Sequence, residues 1–226
     1  VSSFYTYGTT QLYDQKTNNW TKTETTKSID FPQIPDAYLD AMLEEMYTKF
    51  TATLTSVAGS NFMPVTAVPN APSYANTIKF MPGEVNNEGE FLKVYKGLNP
   101  VKTQSSVSNM YYGECALLKD VKADALLKVS LACALSWDKK PTMSPYLTIE
   151  LVGISNGDFR SFMGNTKYFT INIKGNDYEL KKNKPVEFDK VFQVNEFNEQ
   201  FKKALQELKV REDANGDYEK VWSLQK

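Results

Sequence analysis

Two thiols, Cys115 and Cys133, are the first residues to ask about, because the chain contains no histidine. A cysteine nucleophile needs an adjacent base or a site that lowers its pKa, and imidazole is the usual partner. Without histidine, the side chain best matched to acid–base work at neutral pH is missing. Structural zinc wants four clustered sulfur or nitrogen ligands, and two cysteines 18 residues apart do not supply them. Cys133 lies inside ADALLKVSLACALSW (123–137), the most apolar run in the chain. The reading this favours is a small hydrophobe packed in a buried strand. A disulfide to Cys115 stays open, because sequence spacing does not give the Cα separation such a bond requires.

Other chemistry-bearing patterns are incomplete. DANGDYE (213–219) offers oxygen ligands at positions 213, 215 and 217, but Tyr218 stands where a calcium loop needs its glycine and Leu224 where it needs a bidentate glutamate. A plain turn is the expectation there. No GxxxxGK[ST], GxGxxG or GxSxG occurs, and Gly153–Gly157 reads as a turn after a strand. Glu44/Glu45 and Asp120/Asp124 are carboxylate pairs on expected solvent faces; a two-carboxylate glycosidase would need a separation that spacing does not fix. Tyr5, Tyr7, Tyr13 and Trp20 crowd a segment with little else to bury, and Tyr111 and Tyr112 form a second pair. Such rings either fasten the segment to the core or stand exposed, where they stack on sugars or anchor proteins. We expect no enzyme activity, no metal and no cofactor.

Composition narrows the partners. Twenty-six basic residues oppose 27 acidic ones, and only Arg160 and Arg211 are arginine. Balanced charge with two isolated guanidinium forks argues against nucleic acid. Lys181, Lys182 and Lys184 form a local cluster that reads as a solvated turn. No run of about 18 apolar residues is present, so no transmembrane segment is expected.

The elements that must position these residues are legible in outline. QLYDQ and WTKTETTK flank Lys16–Asn19 and predict a β-hairpin within residues 1–30, followed by the stiff connector FPQIP. Leu39, Met42, Leu43, Met46, Phe50, Leu54 and Val57 draw one apolar helical stripe, with Asp36 as N-cap and Gly59 as stop. NFMPVTAV (61–68) reads as a short strand. Residues 82–110 form a polar insertion around one strand, FLKVY, and a short helix spans 111–118. Residues 125–137 predict a central strand packed on both faces, and PYLTIELVGI its antiparallel neighbour. KYFTINIKG and DYELKK suggest a further hairpin around Gly175–Asn176. A last helix carries Phe197, Phe201, Ala204, Leu205 and Leu208, capped by Asn195. The sum is a single α/β (α+β mixed) domain over 1–226: a two- or three-layer sandwich in which helices pack on a mixed sheet beside an N-terminal hairpin.

Two stretches carry a resemblance. The long helix followed by NFMPVTAVPNAPSY, and VKADALLKVSLACALSW followed by PYLTIELVGI, resemble the curli-secretion lipoprotein and the penicillin-binding-protein-activator lipoproteins, over residues 36–75 and 113–175. The N-terminal hairpin and the 82–110 insertion fall outside it. The resemblance implies a bacterial exported or lipoprotein-derived α/β domain, extracytoplasmic (periplasmic or outer-membrane-associated), that binds an envelope protein rather than catalysing a reaction. A lipid anchor upstream of Val1 is compatible with that reading, and a glycan is the alternative partner. Ligands in open α/β sheets gather beyond the carboxyl ends of parallel strands. If 62–66 and 126–137 are parallel neighbours, that edge collects Asn70, Tyr74, Trp137 and Asp138, our candidate binding surface.

Overall fold

The apolar run around Cys133 becomes the organising strand of the molecule. The computed structural model describes residues 1–18, 23–77, 89–101, 113–137, 140–153, 166–215 and 222–225. Strands are β1 (Ser3–Thr9), β2 (Gln11–Asn18), β3 (Thr23–Asp30), β4 (Glu90–Val94), β5 (Ala125–Trp137), β6 (Pro141–Gly153), β7 (Thr166–Lys174), β8 (Tyr178–Glu179) and β9 (Trp222–Gln225). Helices are α1 (Asp36–Ala58), α2 (Tyr74–Thr77), α3 (Gly113–Val121), α4 (Phe188–Phe192) and α5 (Val194–Asn215). Six strands form a mixed sheet in the order β4-β1-β5-β6-β7-β9, and β8 adjoins the far end of β6. The β1/β5 and β7/β9 pairs are parallel; β1/β4, β5/β6 and β6/β7 are antiparallel. The mixed α/β class expected from the sequence is the class observed.

Period-two alternation sets the two faces of β5. Leu127, Val129, Leu131, Cys133 and Leu135 are buried. Across the ladder they register with Leu151, Ile149, Leu147, Pro145 and Met143, which continue the same face. Helices α1 and α5 cover it. The α1 stripe, Leu39 to Leu54, is buried as the spacing predicts, and Gly59 ends the helix at φ +66°, where a side chain would be strained. Phe50 meets Phe201 of α5 at a centroid distance of 5.2 Å, and Phe4 of β1 packs edge-on against Tyr47 and Tyr95. Gly8 allows β1 to approach β5 closely, since a Cβ there would lie 2.3 Å from the Cys133 carbonyl oxygen.

Several expectations are corrected. Residues 61–68 form no strand: the backbone is irregular to Pro64 and then makes one 3-10 turn, Val65–Ala67. Pro64, Pro69 and Pro72 withhold amide donors from any ladder. The parallel neighbour of β5 is therefore β1, a strand of the main sheet and not part of the hairpin, which is β2 with β3. β8 pairs with β6 rather than with β7. Asp36 is the first helical residue of α1, after Pro35 at the cap position. Helix α5 begins one residue before Asn195, whose side-chain oxygen instead accepts from Lys49 Nζ. It continues through Asp213 to Asn215, so the start of the calcium-like motif is helical and not a turn. The second face of β5 is only partly covered, with Ala134 and Ser136 exposed. Trp20, Tyr111 and Tyr112 lie outside the described residues, as do 82–88 and 102–110 of the expected insertion. No described helix is long and apolar enough to cross a membrane.

Candidate functional site

Of the four residues singled out from the sequence, the three that are described do not converge. Tyr74 is buried; its hydroxyl donates to the Gly97 carbonyl (2.7 Å) and accepts from the Asn99 amide (2.6 Å), clasping the turn after β4. Leu98, inside that turn, accepts from the Phe4 amide, and Phe4 registers with Val129. Trp137 stands eight residues farther along β5, or about 26 Å at roughly 3.3 Å per residue. Asn70 is exposed after the 3-10 turn, on the Tyr74 side of the molecule, its amide donating to Thr66. Asp138 lies outside the described residues. The assumed parallel edge does not exist, and the grouping separates with it.

Trp137 does sit in a site. It is 36% exposed at the end of β5 and, with Pro141 across the ladder, floors a groove of about 960 Å³. One wall is Ser28 to Pro32, where β3 leaves the hairpin. The other is the stretch from Asp177 to Glu187, with Lys190 of α4 behind it. Ile29 and Phe31 anchor the first wall in the core, and Phe31 packs on Phe188 of α4 at 6.1 Å.

The second wall is pinned by polar contacts. The buried Gln193 amide accepts from the Asn176 amide (2.9 Å) and donates to the Asn176 carbonyl (2.6 Å). Ser144 donates to Asp177 (2.7 Å), and the Tyr178 hydroxyl accepts from the Glu187 amide (3.1 Å). Leu180 N–H donates to the Pro141 carbonyl, extending the β6–β8 ladder. Such contacts fix the wall before a ligand arrives, which lowers the ordering cost of binding.

Charges in the groove are unevenly matched. Glu179 pairs with Lys140 (2.9 Å), Glu187 with Lys190 (2.7 Å) and Asp177 with Lys174 (3.6 Å). The Lys140 hydrogen bond, helped by the Lys140 and Lys181 charges, holds the Glu179 carboxyl below its ordinary range. Lys181, Lys182 and Lys184 are exposed, and among the described residues no carboxylate lies within 4.0 Å of their ammonium groups. The cluster is an exposed turn, as its sequence reads, and it stands on the rim of the groove.

Elsewhere the potentially reactive groups have structural surroundings. Cys115 and Cys133 are both buried and form no disulfide; burial pushes the Cys133 thiol up to about 12, the reverse of what a nucleophile needs. On the opposite face of β5, Lys128 Nζ lies between Glu114 (2.6 Å) and Glu150 (3.0 Å). Burial opposes the ammonium there, but attraction and hydrogen bonding from Glu114, then Glu150, outweigh it and raise its pKa. Among the described residues, no three histidine, cysteine or acidic groups are placed to hold a metal.

Sequence reasoning singled out Trp137 but missed its surroundings, because Ser28–Pro32 and Asp177–Glu187 are about 110 and 40 residues away and meet it only through sheet topology. Comparison with protein-family models, with curated proteins and with solved structures gives no match to this chain.

Proposed function

We propose that the chain is a non-enzymatic binding domain of the bacterial cell envelope, acting through protein–protein contact at the Trp137 groove. The observation that carries the binding reading is the groove itself: a half-exposed tryptophan between prolines, with one wall locked by Gln193 and the other anchored in the core. Tryptophan in a walled depression is the residue type that most often dominates a protein interface. The envelope location, periplasmic or outer-membrane-associated, rests on the lipoprotein resemblance of residues 113–175; the 36–75 part of that resemblance assumed a strand at 61–68 that the fold does not form.

The test is a pull-down from solubilised envelopes of the source organism, with tagged wild-type chain and Trp137→Ala as paired baits and mass spectrometry as readout. A reproducible envelope protein captured by wild type and lost from the variant supports the reading. Equal capture by both baits, or no envelope protein at all, rejects the groove as the contact site.

One observation favours a second reading, glycan binding. Tyr7, Ala132 and Tyr146 occupy one row across β1, β5 and β6, and the two tyrosines are 42% and 40% exposed on the face away from α1 and α5. Rings flanking a small residue form a platform on which sugars stack. Retention on a polysaccharide column or glycan array that Tyr7→Ala and Tyr146→Ala abolish, with Trp137→Ala neutral, would favour this alternative.

A further inference from the structure

We infer that the occupant of the Trp137 groove is an extended, acidic segment of a partner protein, seated by an apolar residue on Trp137 and by carboxylates along Lys181, Lys182 and Lys184. This deepens the groove reading above and rests on it. Charge complementarity carries the inference. The groove's Asp177, Glu179 and Glu187 are each already paired with a lysine, whereas the three rim lysines face no carboxylate within 4.0 Å among the described residues. The lining itself holds four lysines and four acids, but Lys140 and Lys174, which neutralise Glu179 and Asp177 from outside it, bring the lysines to six, so the rim carries a surplus of positive charge.

Geometry favours an extended chain over a compact ligand. The groove's volume is at the upper end of what small-molecule sites enclose. It is lined by the hairpin exit from Ser28, by Trp137 and by the loop to Lys184, and the three lysines fall within four consecutive residues of a wall whose backbone is held by β8 and Gln193. Lysine ammonium groups suit this role better than a phosphate clamp, which is usually built with bidentate arginine, and among the described residues no arginine lines the groove. Exposed lysines of this kind set on-rate and partner choice, and their effect is screened by salt.

A random decapeptide display library selected on the full chain tests this directly. The expected result is enrichment of Asp/Glu-rich peptides containing a leucine, proline or aromatic residue. The most enriched peptide, made synthetically with a fluorophore, should bind at least tenfold more weakly to K181E/K182E/K184E and to Trp137→Ala, with both variants melting like wild type. Its affinity should fall several-fold between 50 and 300 mM NaCl. Peptides without acidic bias, no enrichment at all, or equal binding by the triple variant would overturn the inference. So would polygalacturonate competing as well as the acidic peptide, since the rim would then be reading charge on a sugar. The envelope pull-down separates the two claims: a partner lost with Trp137→Ala but retained by K181E/K182E/K184E leaves the groove standing and removes its acidic occupant.

Discussion

Raising the pH should weaken this fold through a single thiol, in an amount that can be worked out beforehand. Cys133 is 1% exposed, its ordinary pKa of 9.0 pushed up to about 12 by burial. Because the folded-state value lies above the unfolded one, the folded chain holds the proton longer. The stabilisation is full below pH 9 and is lost as pH rises towards the folded value. At pH 10 the unfolded thiol is about nine-tenths ionised while the folded one stays protonated, which costs about 1–2 kcal/mol, and the loss grows further by pH 11. Half-buried tyrosines such as Tyr5 and Tyr47, raised chiefly by desolvation, act in the same direction at higher pH. The thiol is therefore isolated as a difference between wild type and Cys133→Ala, read from urea unfolding at pH 7, 8, 9 and 10. The variant carries a constant offset from the lost sulfur, about 1–2 kcal/mol. Against that constant, the wild-type advantage should shrink by about 1–2 kcal/mol between pH 7 and pH 10. A difference that stays flat across this range would refute the buried, unbonded thiol, and with it the placement of Cys133 under α1.

Three further perturbations follow from the same geometry. Lys128→Met removes the ammonium that lies between the fully buried Glu114 and Glu150 and should cost about 3–5 kcal/mol in denaturant unfolding, partly restored by adding Glu114→Gln; a loss under 1 kcal/mol would show that the pair is not buried as described. Gly8→Ala forces a Cβ to 2.3 Å from the Cys133 carbonyl oxygen and should cost about 1–3 kcal/mol; a melting temperature within a degree of wild type would contradict the β1–β5 register. Tyr74→Phe removes the hydroxyl that joins Gly97 to Asn99 and should cost about 1–3 kcal/mol while leaving groove binding unchanged, whereas lost binding at intact stability would return Tyr74 to the contact surface.

Local pattern alone determined a good part of this protein. The α1 stripe, its glycine stop, the apolar row of β5 with its antiparallel partner β6, and the packed state of Cys133 all follow from residue spacing, because period and burial are properties of contiguous residues. Pairing across long separations was not legible. That β1 lies beside β5, that Tyr178–Glu179 adjoins β6 rather than β7, and that 61–68 forms no strand depended on which edges the sheet left free and on prolines withholding ladder donors. The binding site divides the same way. The exposed tryptophan at the end of β5 and the lysine cluster at 181–184 each stand out in the sequence, but one reads as a strand end and the other as a solvated turn. Only the tertiary structure brings them to one groove, because the contacts that do so, Leu180 to Pro141 and Gln193 to Asn176, join segments whose spacing along the chain carries no periodic signal.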